Sequence, residues 1–139
     1  MRSGKKESWR RLLLFLSFIL LLSGCGKGSG GGEREELDFT VASEAEIPPE
    51  LGSIIEEKKQ AEFKLTYSDG DSLYLAVGLG RKETGGYSMS VKALYLQDGT
   101  ICLETSSSGP EKDEEAIPAP SCPYLVVKLP YREEPVVFL

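Results

Sequence analysis

The chain has 139 residues, 40% of them hydrophobic and 27% charged, with 16 Lys and Arg against 22 Asp and Glu, three cysteines and no histidine. That length sets a one-domain ceiling. Without an imidazole, a Ser-His-Asp triad, a Cys-His dyad, a His-ligated zinc and a histidine proton shuttle are all excluded. Lysine and paired-carboxylate chemistry pass this filter, but no arrangement of residues argues for either. The chain is therefore read as non-catalytic, with no cofactor and no metal site.

The first 25 residues divide into a basic stretch with Lys5, Lys6, Arg10 and Arg11, an apolar run from Leu12 to Leu22, and Leu22-Ser23-Gly24-Cys25. Eleven helical residues span roughly 17 Å, far less than the ~30 Å hydrocarbon core, so this is an export signal and not a permanent span. Its ending resembles the bacterial lipobox, which implies cleavage after Gly24 and a diacylglyceryl group on Cys25. Acyl burial contributes about 0.8 kcal/mol per CH₂, and two chains suffice for stable attachment. The expected location is the outside of the bacterial cytoplasmic membrane or beyond, held by lipid.

Loss of residues 1–24 leaves 11 basic and 21 acidic residues, a formal charge of −10. Such a body repels nucleic acid and anionic lipid at short range. A tether suits it. Residues 25–36 supply one: from Gly26 they hold five glycines and no apolar side chain, so they read as flexible linker. The rest divides into a linker with a short helix, 37–60, and a β-domain, 61–139.

Pro49 suits a first helical turn, and Leu51, Ile54 and Ile55 at i, i+3, i+4 spacing predict a helix over Glu50–Gln60 that lies on a sheet as a lid. After Gln60 the period becomes two. Phe63, Leu65 and Tyr67 predict one half-buried strand, and Leu73, Leu75, Val77 and Leu79 a second beyond the Asp69-Gly70 turn. Tyr87, Met89, Val91, Ala93 and Tyr95 predict a third, joined by Asp98-Gly99 to Ile101, Leu103 and Thr105. Residues 106–123, with four prolines and the acids Glu111, Asp113, Glu114 and Glu115, read as a loop; the acids lack EF-hand spacing and are taken as solvated. Tyr124–Leu129 and Pro135–Leu139 complete a mainly β chain: a small antiparallel sandwich or roll of about six strands with one short N-terminal helix.

Cys102 and Cys122 remain after lipidation, and export would permit a bridge between them. It would close the acidic loop and contribute roughly 3 kcal/mol in the chain-entropy model. Two buried reduced cysteines are the alternative reading. As zinc ligands without histidine they would make a poor site.

The stretch Gly80-Arg-Lys-Glu-Thr84-Gly85-Gly86-Tyr87-Ser-Met-Ser-Val91 and the block Pro123-Tyr-Leu-Val-Val-Lys-Leu-Pro130 resemble the C-terminal domain family of the protease complex subunit PrcB, over roughly residues 72–139. The resemblance implies an exported, lipid-anchored β-domain that accompanies a subtilisin-like surface protease and supports its assembly or stability. Thr84, Gly85, Gly86 and Tyr87 are then the candidate partner-binding turn. The chain departs from that pattern at Ala116-Ile-Pro-Ala-Pro120, which interrupts the strand expected before the Pro-Tyr block. The same turn is similar to the Thr-Thr-Gly-Tyr-like loop of chagasin-type protease inhibitors. There the departures are Met89 in place of an aromatic residue and the lack of an Arg-Pro-Trp block, since the single tryptophan is Trp9 in the signal.

Overall fold

The computed structural model describes residues 32–113, 115 and 117–139. The signal segment 1–24, Cys25 and most of the glycine tether therefore lie outside the described residues. Eight strands and one α-helix follow in chain order: β1 (Glu35–Glu36), β2 (Thr40–Val41), α1 (Pro49–Lys58), β3 (Glu62–Ser68), β4 (Ser72–Leu79), β5 (Ser88–Gln97), β6 (Thr100–Ser108), β7 (Tyr124–Pro130) and β8 (Val136–Phe138). They form two open four-stranded sheets: sheet I in the order β1-β5-β6-β8, and sheet II in the order β2-β7-β4-β3.

Alternation of apolar side chains places one core between the sheets. Leu73, Leu75 and Val77 of β4 and Leu125, Val127 and Leu129 of β7 meet Leu94, Ile101 and Leu103 of sheet I. The opposite face of sheet II carries a second core, where Leu51 and Ile55 of α1 cover Phe63, Tyr74, Ala76 and Val126. The helix is the lid that its spacing predicts, and Pro49 does occupy the first turn. Strand β4 is consequently buried along both faces from Leu73 to Gly78 and is not the half-buried strand its alternation predicts. Its small outer-face residues, Ala76 and Gly78, make room for the helix layer.

The turns behave as their residues dictate. Asp98 and Gly99 have φ of 51° and 72°, the pair of left-handed residues that a tight β5–β6 hairpin requires. Between β3 and β4 the Asp69 carboxylate accepts the N–H groups of Asp71 (3.0 Å) and Ser72 (2.8 Å). These bonds hold its carboxyl below the usual carboxylate range.

Four expectations are corrected. The apolar alternation of Tyr87 to Tyr95 breaks at a bulge between Val91 and Ala93, so that Met89 and Val91 face the core before it, and Leu94 and Leu96 after it. Tyr95 thereby turns to the outer face, where its hydroxyl donates to Glu104 (2.9 Å) and the Arg34 guanidinium lies 3.5 Å from its ring centroid. Strand β6 runs to Ser108, into the stretch expected to be loop, because Ser88 and Ser90 of β5 hydrogen-bond Ser108 (2.7 Å) and Ser106 (2.8 Å) across the pair.

The last strand, β8, pairs with β6 in parallel, not antiparallel: residues 131–135 carry the chain from sheet II to the far edge of sheet I before it turns. Finally, β1 and β2 arise from segments read as tether and linker. Glu35 and Glu36 pair with Leu96 and Tyr95, Leu37 N–H reaches the Leu94 carbonyl at 3.0 Å, and Gln97 donates to the Gly32 carbonyl. The ordered body thus begins before residue 37. Among the described residues no helix is long and apolar enough to cross a membrane.

Candidate functional site

The turn and the Pro-Tyr block come together because β4 and β7 are antiparallel neighbours. Residues 80–87 leave the end of β4, and residues 121–123 enter β7 beside it, with Gly78 opposite Tyr124 and Leu79 N–H bonded to the Pro123 carbonyl (3.0 Å). Sequence places these segments almost forty residues apart; the sheet makes them one surface.

The turn is strapped by the loop that precedes β7. Lys82 and Ser121 exchange backbone hydrogen bonds at 2.7 and 3.0 Å, and Gly85 N–H donates to the Ile117 carbonyl at 3.1 Å. The Ser121 hydroxyl donates to the Thr84 carbonyl at 2.7 Å. Gly86 has φ +88°, and a Cβ there would meet Pro110 Cβ at 3.2 Å; a Cβ at Gly109 would meet the Tyr87 ring at the same distance. Two of these glycines therefore serve close approach as well as turning. Tyr87 is half-buried with Lys82 Nζ 5.6 Å from its ring centroid, so it is a packed residue rather than a free tip. The large apolar side chain that projects here is Ile117, 59% exposed. As an insertion loop of the chagasin kind, the turn would have to shed this strap.

Of the sequence-predicted residues, Thr84, Gly85, Gly86 and Tyr87 are thus brought into one structural unit, whereas Cys25 lies outside the described residues. The bridge weighed between Cys102 and Cys122 is absent: both thiols are free. Cys102 sits on the outer face of sheet I, paired with Tyr95 and Val137, while Cys122 precedes β7 in sheet II. The inter-sheet core separates them, and a disulfide needs Cα atoms within about 7 Å. Cys102 instead points its S–H to the Thr100 carbonyl at 3.8 Å.

Sequence reasoning missed Ser121, Ile117, Gly109 and Pro110. Nothing in their spacing marks them; only the strand pairing of β4 with β7 does. Glu111, Asp113 and Glu115 are exposed, and among the described residues no group of three or more His, Cys, Asp or Glu is placed to hold a metal ion. The shifted titrations have structural causes: the Arg132 guanidinium, 2.5 Å from Glu134, lowers that carboxyl, and burial raises the Tyr124 phenol.

The fold and site define a helix-capped, two-sheet β-domain in which two mutually braced loops form one surface. The model of the family described as PrcB C-terminal matches residues 73–130, from β4 through β7, and so takes in the turn, the strap and the Pro-Tyr block. This segment resembles that family. No curated protein and no solved structure matches the chain.

Proposed function

We propose that the protein is a lipid-anchored, non-catalytic accessory subunit of a protease complex outside the bacterial cytoplasmic membrane. The observation that carries the protease is the family match over residues 73–130, which spans both halves of the braced surface. The anchor rests on Leu22-Ser23-Gly24-Cys25 behind a basic and apolar leader. The contact surface in this reading is the Thr84–Tyr87 turn with its strap, already ordered before a partner arrives, which lowers the entropy lost on binding.

The test is to purify the full-length chain from its native membranes in mild detergent and identify what co-purifies. A subtilisin-like protease in stoichiometric amount, and loss of that protease's activity from cells lacking this chain, are expected. An unchanged protease level and activity in those cells overturns the reading. Mass spectrometry tests the anchor separately: Cys25 carries a diacylglyceryl mass as the first residue, and Cys25→Ala releases the chain from the membrane fraction. An unmodified Cys25 thiol in the processed chain overturns that part.

A further inference from the structure

The four sheet edges are unequal. β1, β2 and β8 have two or three residues, whereas β3 has seven, runs in unbroken register with β4, and is the one edge strand longer than three residues among the described residues. Among the described residues its outer backbone groups have no strand partner. Moreover, sheet I does not reach over it: Glu62, Lys64, Thr66 and Ser68 lie on the core-side face, in register with Leu79, Val77, Leu75 and Leu73, yet all four are exposed. A cleft of about 420 Å³ between Glu62, Lys64, Val77, Leu79, Met89 and Thr105 marks the gap.

An inward lysine on an edge strand normally blocks further pairing, because an added strand sets an apolar residue or another lysine opposite it. Here Glu62 stands two residues away on the same face, and neither Glu62 nor Lys64 has an ion pair among the described residues. We infer that β3 is a homodimerisation edge that recognises a second copy of itself. Antiparallel pairing about Phe63 sets Glu62 of one copy opposite Lys64 of the other and Lys64 opposite Glu62, two reciprocal ion pairs from one strand sequence. Directly opposed side chains in an antiparallel pair have Cβ atoms about 4.5–5.5 Å apart, within reach of both contacts. In this register the two strands overlap at Glu62–Lys64, the start of each β3, and the lysine that excludes unlike strands selects a like one. This inference is independent of the protease reading.

Sedimentation equilibrium of the full-length chain in density-matched detergent tests it, with single and paired charge variants. The wild type is expected to dimerise, and Glu62→Lys and Lys64→Glu each to weaken association about tenfold or more, because each sets like charges opposite one another twice. An equimolar mixture of the two variants restores the dimer, since every opposed pair is then Lys against Glu; the double exchange Glu62→Lys/Lys64→Glu restores it within one chain. Generic charge repulsion predicts otherwise: Glu62→Lys lowers the net negative charge and would strengthen association, while Lys64→Glu would weaken it. A wild type that is monomeric at the highest soluble concentration, or a mixture no more associated than its components, overturns the inference.

Discussion

Gly78 lies in the middle of the most buried strand, and its missing side chain is filled by a neighbour. Phe63, in register on β3, lays its ring across it; a Cβ on residue 78 would fall inside the ring edge, with Cζ 2.9 Å away. Gly78→Ala therefore forces the ring out of its place beneath α1, where Phe63 is only 9% exposed against Leu51 and Ile55. Overpacking strain costs about 1–3 kcal/mol, and partial loss of an aromatic burial worth roughly 1.5–3 kcal/mol adds to it. Alanine's lower backbone entropy than glycine's returns about 0.5–1 kcal/mol. The net expectation is about 2–3 kcal/mol, or a fall in Tm of roughly 10–20 °C for a domain of this size. Urea unfolding followed by far-ultraviolet circular dichroism measures it. Combining the substitution with Phe63→Leu, which vacates the space, recovers at least ~1 kcal/mol relative to additivity. A Gly78→Ala protein within about 0.5 kcal/mol of wild type, the usual range for a neutral surface change, or strict additivity in the double variant, refutes the packing argument.

Gly70→Ala is the contrasting case: nothing lies within 4 Å of the added Cβ, so only the φ of +95° opposes it, and a loss of roughly 1 kcal/mol is expected by the same assay. Ser121→Ala removes one hydrogen bond of the strap and is expected to cost about 0.5–1.5 kcal/mol, with faster hydrogen exchange at the Gly85 amide; unchanged exchange there would show that the strap does not hold the turn. Asp69 has a folded pKa held below its unfolded value by backbone N–H donors, so its contribution is present above pH ~4 and is lost as pH falls through the folded pKa. Asp69→Asn should flatten the acid limb of the stability profile. Tyr95 runs the other way: its hydrogen bond to Glu104 and its burial raise the phenol pKa, so its contribution is full below pH ~10 and fades as pH rises through the folded value, a limb that Tyr95→Phe removes. The intact mass of the chain should not change on reduction, as two free thiols require; a gain of two hydrogens would reveal a bridge.

Most of the strands were legible because half of each carries its own pattern. Phe63-Leu65-Tyr67 and Ile101-Leu103 alternate without interruption, and Asp98-Gly99 announces its turn. Three features were not legible, each for a physical reason. A bulge at Lys92 exchanges the faces of β5 midway, so that an unbroken alternation through Tyr95 mislocates the core by one residue. Two-residue strands such as β1 and β2 are too short to display a period and exist only because a neighbouring edge accepts their backbone. The strap belongs to the same class, since its donors and acceptors are mostly backbone groups whose partners depend on which strands lie side by side.

The burial of β4 also limits where recognition can occur. At β4 and β7, sheet II has a core on each face, one against sheet I and one against α1, so neither face of these two strands is available to another protein without unfolding. The rims around these strands stay open. At one end, β4 and β7 deliver the turn and the strap side by side, and the rigidity of two doubly buried strands fixes their spacing. Along one side, β3 offers backbone and paired charges. The segment matched by the family model runs through the strands that position those loops. The two surfaces draw on different residues, so substitutions at Glu62 and Lys64 should leave contacts at Thr84–Tyr87 intact, and their separate loss is the measure of that independence.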